Sequence, residues 1–124
     1  MGCNGPPKVN DPNYVLTCAN APRNALGLGI ITNLPDVAGS DSLGIGLVFQ
    51  LDLLQSTLVI PLNIRSDWSG TSSVPAPIPN DPGLVGQAFY AQAIWLEDAT
   101  TGQACSAALG HLVSSGGLQI TVQP

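Results

Sequence analysis

From residue 87 onward the side chains of this chain alternate. Phe89, Ala91, Ala93 and Trp95 fall on one side of an extended strand, and Tyr90, Gln92, Ile94 and Leu96 on the other. Both sides are largely apolar, which predicts a central strand covered on both faces or packed against another subunit. Just upstream, Asp81 followed by Pro82 reads as an N-cap and first helical position, with Gly86 as a stop. One helical turn is therefore predicted over 82–85.

Shorter alternations surround this stretch. Residues 13–19 form a strand with Tyr14, Leu16 and Cys18 on one face. Segments 26–32 and 43–49 both alternate glycine with large aliphatics, and the missing side chains let another layer approach closely. They are expected to be paired or facing strands. In 57–64 the internal Pro61 predicts an edge strand or a bulge, and in 71–79 the repeated prolines predict an extended edge segment. The last two strands are expected at 104–109 and 118–122. Turn-rich loops fill 20–24, 33–42, 65–70, 98–103 and 111–117. Residues 1–12 read as an extended leader, and 13–124 as a single domain. The prediction is an all-β fold, an antiparallel β-sandwich of jelly-roll or Ig-like type with about 7–9 short strands and at most one helical turn.

Composition restricts what such a domain does. The hydrophobic fraction of 44% suits a folded core, but only 9% of residues are charged, against about 25% in typical domains. Lys8, Arg23 and Arg65 are the only Lys or Arg residues, and the net charge is −5. Three scattered bases cannot neutralise a phosphate backbone or an anionic membrane surface, so no nucleic-acid partner is expected. No apolar run approaches the roughly 20 residues of a spanning helix, so no membrane insertion is expected either. A surface so poor in charge fits a neutral extracellular coat, burial in a self-assembly, or both. Residues 1–7 lack the basic and apolar regions of a secretory signal, so secretion is expected of a processed form.

Candidate chemistry is sparse. Cys3, Cys18 and Cys105 allow three choices of single bridge with one thiol left over, and none has metal-type spacing. His111, the single histidine, has Ser114 and Ser115 nearby in sequence and Glu97 and Asp98 on the preceding turn, but no nucleophile elbow accompanies them. Asp52, Asp67, Asp81, Glu97 and Asp98 fall at turns, where aspartate usually caps backbone amides rather than forming a glycosidase pair. No enzyme is predicted. Asp36 and Asp41, with Ser40 and Ser42, offer hard oxygens for calcium in one glycine-containing loop; no other cofactor is expected. Trp68, at the tip of the 65–70 turn or tucked beneath it, and the adjacent Asp67 are the candidate ligand-binding pair, since an aromatic exposed next to a polar group can hold carbohydrate.

The order of these segments resembles a domain of unknown function carried by large secreted proteins of planctomycetes and some myxobacteria. That family shows an N-terminal Gly-Cys, a Leu-Leu-Gly-type strand and a Gly-x-Pro-Leu-x-Leu-Asp-Leu segment. An Ile-Pro-x-Pro-Asn-Asp-Pro-x-Leu-Val-Gly-x-x-Phe-Tyr-x-Gln motif and a final Leu-x-Ile strand follow. The correspondents here are 2–3, 26–32, 46–54, 75–92 and 118–122. A second family cysteine, expected near Ser56, is absent. By that departure the resemblance implies a Cys18–Cys105 disulfide, with Cys3 free or available to a neighbouring subunit. Such a bridge contributes roughly 4–5 kcal/mol in the chain-entropy picture. The resemblance implies an extracellular all-β module and brings no activity. The expected function is a non-catalytic, secreted structural module that self-associates as a homo-oligomer or filament subunit, through apolar surface and open strand edges. The alternative is a carbohydrate-binding or adhesion module of a larger secreted protein.

Overall fold

The computed structural model describes residues 1–41, 44, 47–96 and 112–124, the side chains of Leu112 and Val113 excepted. The fold is all-β. Ten strands and one 3-10 turn (η1) lie among the described residues. They are β1 (Gly2–Cys3), β2 (Val15–Cys18), β3 (Leu26–Thr32), β4 (Pro35–Ser40), β5 (Phe49–Leu51), β6 (Val59–Arg65), β7 (Ser72–Pro75), η1 (Pro82–Leu84), β8 (Ala88–Leu96), β9 (Leu112–Ser114) and β10 (Leu118–Thr121). Three antiparallel sheets result: β1-β2-β7, β10-β8-β3-β6 with β9 also on β8, and the pair β4-β5.

The central strand β8 has both of its faces covered. Ala91, Ala93 and Trp95 pack towards the β1-β2-β7 sheet, in clusters that include Tyr14, Leu16, Cys18, Ile64 and Ile120. On the opposite face Tyr90 and Ile94 pack with Ile30 against Leu47, Phe49 and Leu51. The molecule is thus a two-sheet sandwich with a small third layer, β4-β5, laid over the outer face of the larger sheet. Trp95 is 2% exposed. It fits because Gly27, its cross-strand partner on β3, has no side chain: a Cβ there would come within 2.6 Å of the indole and 2.8 Å of the Ile94 carbonyl.

Gln92 is the one polar side chain on β8, 1% exposed on the face covered by the third layer. Its Oε1 accepts from the Gln50 amide at 3.0 Å, and its Nε2 donates to the carbonyls of Val48 at 3.0 Å and Ser115 at 2.9 Å. Those bonds join the third layer, β8 and the β9–β10 edge. On that edge Ile94 faces Ser114 and Ala91 faces Leu118, so 115–117 oppose only Gln92 and Ala93: a β-bulge. The Ser115 hydroxyl accepts from the Ala93 amide at 2.9 Å within it.

The helical turn forms as expected. Asp81 accepts from the Gly83 amide at 2.9 Å, Pro82 opens the turn, and Gly86 leaves it with φ +82. Two segments differ from the sequence reading. Within 33–42, expected as loop, β4 pairs with β5 only at Pro35–Leu51 and Ser40–Phe49. Residues 36–39 bulge out opposite Gln50, which is why their composition reads as a turn. Leu112–Ser114, also expected as loop, extends the β8 ladder. Of 43–49, expected to pair with or face 26–32, residues 43, 45 and 46 lie outside the described residues; Leu47 and Phe49 face β3, packing with Ile30, and Phe49 opens β5, which pairs with β4. The expected strand 104–109 lies outside the described residues.

The leader does more than drape over the domain. Gly2–Cys3 pairs with Leu16–Thr17. Farther on, the Val9 amide donates to Gln123 O at 2.9 Å and the Gln123 amide to Pro7 O at 2.8 Å. One segment therefore runs from the smaller sheet to the end of the larger one.

Candidate functional site

Trp68 stands at the tip of a turn, 77% exposed. The turn is built by Asp67, whose Oδ1 accepts from the Ser69 amide at 2.9 Å, the Ser69 hydroxyl at 2.6 Å and the Thr71 amide at 3.0 Å. Its Oδ2 accepts from the Thr71 hydroxyl at 2.8 Å. The Ser69 hydroxyl bond, then those of Thr71, hold the carboxyl well below the usual carboxylate range. Backbone bonds dock the turn on the 21–25 segment: Ala21 N–H to Gly70 O at 2.9 Å and Asn24 N–H to Asp67 O at 3.0 Å. Ser66, buried below, accepts from the Ala25 amide at 2.8 Å and donates to Pro22 O. Asp67 thus serves its own turn, and the indole is presented on a pre-organised support.

The other expected sites are less complete. Asp36 accepts from the Gly39 amide at 3.2 Å and from the Ser40 hydroxyl at 2.5 Å, which is turn capping. The Asp41 carbonyl accepts from the Gly44 amide at 3.1 Å, and Ser42 lies outside the described residues. Among the described residues no three metal-ligating side chains come together. Cys3 is exposed and Cys18 buried, and no disulfide is seen among the described residues. Cys105 lies outside them, and with it the expected Cys18–Cys105 bridge. Glu97, Asp98 and His111 lie outside them too. Among the described residues no helix is long and apolar enough to cross a membrane.

The site that the sequence reading missed lies between the sheets. At the end of the sandwich where β8 begins, an apolar groove of about 230 Å³ opens, lined by residues that include Tyr14, Ile31, Leu58, Ile60, Ile78 and Phe89. Residues of β3, β6 and β8 form one wall, and the segment that follows β7 forms the other. The Tyr14 hydroxyl is buried with no well-formed hydrogen bond, and burial, then the neighbouring Cys3 thiol, raises its pKa above the phenol range. Leu58, Val59, Ile60 and Val85 stay exposed nearby. Only the proline spacing at 75–79 hinted at this groove, since the lining comes from six separate segments.

Neither a family model, a curated protein nor a solved structure matches the chain. Its function has to be argued from the surfaces themselves.

Those surfaces include the sheet edges, and two of them resist strand addition. Ala76 N–H donates to Tyr14 O and Ile78 N–H to Asp11 O, each at 2.9 Å. Alternate residues point their backbone groups outward in an antiparallel pair. Pro75, Pro77 and Pro79 therefore occupy the positions whose N–H would face a newcomer. The β6 edge carries Pro61 at its middle, opposite Ile30. The open edges expected for assembly are thus blocked at β7 and interrupted at β6.

Proposed function

We infer that this chain is a non-catalytic structural module of a secreted protein, which associates with copies of itself through the apolar end of its sandwich. The groove between the sheets carries this reading. Soluble monomers seldom leave contiguous apolar surface open. Here the groove is continuous with exposed aliphatics at the start of β6. The proline-guarded edges favour face or end contacts over strand addition, and the low charge removes the usual barrier to close approach. The extracellular setting rests on composition and on the resemblance to the planctomycete domain. It brings with it a Cys18–Cys105 bridge, testable by alkylating the denatured, unreduced protein: one reactive thiol is expected, and three would remove the bridge.

Sedimentation velocity over a range of concentrations tests the association. A concentration-dependent rise in mass is expected, abolished by Leu58→Asp, which places a charge in the groove at an exposed position. A chain that stays monomeric at every concentration overturns the reading.

One observation favours a second reading, a carbohydrate-binding or adhesion module: the exposed indole of Trp68 on its docked turn. A glycan array with signals lost in Trp68→Ala supports it, and an array without signals removes it.

A further inference from the structure

A second cleft, of about 210 Å³, lies on the outer face of the larger sheet where the third layer meets β10. Its lining includes Val37, Gln50, Tyr90, Gly117 and Gln119. Tyr90 and Gln119 are cross-strand partners, so their side chains stand next to each other on one face. The Tyr90 ring packs on the Phe49–Leu51 cluster and is half-buried. Gln119 is exposed.

The third polar group is held in place. The Gly117 amide, at the end of the bulge, donates to Gln50 Oε1 at 2.6 Å. A Cβ on Gly117 would come within 2.8 Å of that oxygen and 3.1 Å of the Gln50 Cβ, so a residue without a side chain lets the amide lie flat against the bulge. With its oxygen engaged, Gln50 keeps its NH₂ for a ligand. No intramolecular hydrogen bond occupies the Tyr90 hydroxyl or the Gln119 side-chain amide among the described residues.

An aromatic ring bordered by three uncharged hydrogen-bonding groups suits a ring with apolar C–H faces and hydroxyls at its rim. None of the lining residues carries a charge, so an anionic or cationic ligand finds no counter-charge. The volume falls below the roughly 300–1,000 Å³ of drug-sized sites, which fits a single ring. We propose that this cleft binds one neutral pyranose unit, with Tyr90 as the aromatic floor and Gln50 and Gln119 as hydroxyl partners. The site is separate from Trp68 and independent of the groove between the sheets.

Titration of the isotope-labelled full chain with methyl glucoside, methyl galactoside, methyl mannoside and glucuronate, followed by amide NMR, tests it. At least one methyl glycoside is expected to give saturable shifts of the Gln50 and Gln119 side-chain amides and the Gly117 backbone amide. Glucuronate should shift them less. Tyr90→Phe, which keeps the packed ring, and Gln119→Ala, at an exposed position, should each weaken binding about 3- to 10-fold, as loss of one hydrogen bond does. Trp68→Ala and Leu58→Asp should leave the shifts unchanged, so failure here is distinguishable from failure of either reading above. No saturable shift with any methyl glycoside, shifts abolished by Trp68→Ala, or equal response to glucuronate overturns the proposal.

Discussion

Asp67 is fully exposed, yet four hydrogen bonds converge on its carboxylate, and their effect has a sign that can be worked out. The folded-state pKa is depressed, so the contribution to stability is present above the unfolded value of about 4 and is lost as pH falls through the folded one. Thermal melts at neutral pH and at about pH 2 should show the wild type losing more stability on acidification than Asp67→Asn, which cannot titrate. Equal losses in the two proteins would show that the turn is held by its docking bonds alone. A second residue-scale test concerns Gly27. Its missing side chain makes room for Trp95 and lies next to a backbone carbonyl that cannot swing aside. Gly27→Ala should cost about 1–3 kcal/mol, as overpacking does, read as a lower urea midpoint at unchanged slope. An unchanged midpoint would mean that β3 and β8 can separate locally at no cost.

At the scale of elements, Gln92 is the joint of the fold, because one side chain of β8 satisfies groups on two other segments. Gln92→Leu preserves much of the side-chain volume but leaves the Gln50 amide and the Ser115 carbonyl without their partner, while the Val48 carbonyl keeps only the Ser114 hydroxyl at 3.3 Å. A loss of about 1–3 kcal/mol is expected for even one such buried group left unsatisfied. Hydrogen exchange should locate the damage: faster exchange at Gln50 and Ala93, with β2 and β7 still protected. Uniform acceleration would show that the third layer is part of the global unfolding unit. The same residue marks the limit of sequence reading. The alternation of β8, the Asp81–Pro82 turn and the burial of Trp95 were legible because each depends on local periodicity or turn chemistry, whereas Trp68 could equally have been tucked beneath its turn. The third layer was not, since β4 pairs only at its ends across a bulge and reads as loop. Nor was the groove, whose lining comes from strands distant in sequence. The Tyr90–Gln119 neighbourhood exists only once the register of β10 on β8 is known.

For the molecule as a whole, the question is how a chain with few charges and exposed aliphatics avoids uncontrolled stacking of its sheets. Charge contributes little, since Lys8, Arg23 and Arg65 are widely separated in the chain. The guard is covalent: proline occupies the outward backbone positions of the β7 edge, where an N–H would invite another strand. Replacing Pro75, Pro77 and Pro79 together by Thr restores those donors and raises strand propensity on the exposed rim without touching the inward bonds of Ala76 and Ile78. Elongated, thioflavin-positive assemblies are then expected, a mode different from the groove-dependent association proposed for the native chain. The two modes separate in a double variant. Adding Leu58→Asp to the three threonines should leave the fibres intact while abolishing the proposed groove-dependent oligomer. If that aspartate also dissolves the fibres, both assemblies use the same surface and the prolines are not the guard. If the threonine variant forms no assembly beyond the proposed groove-dependent oligomer, the β7 edge is closed to new strands by something other than its missing donors.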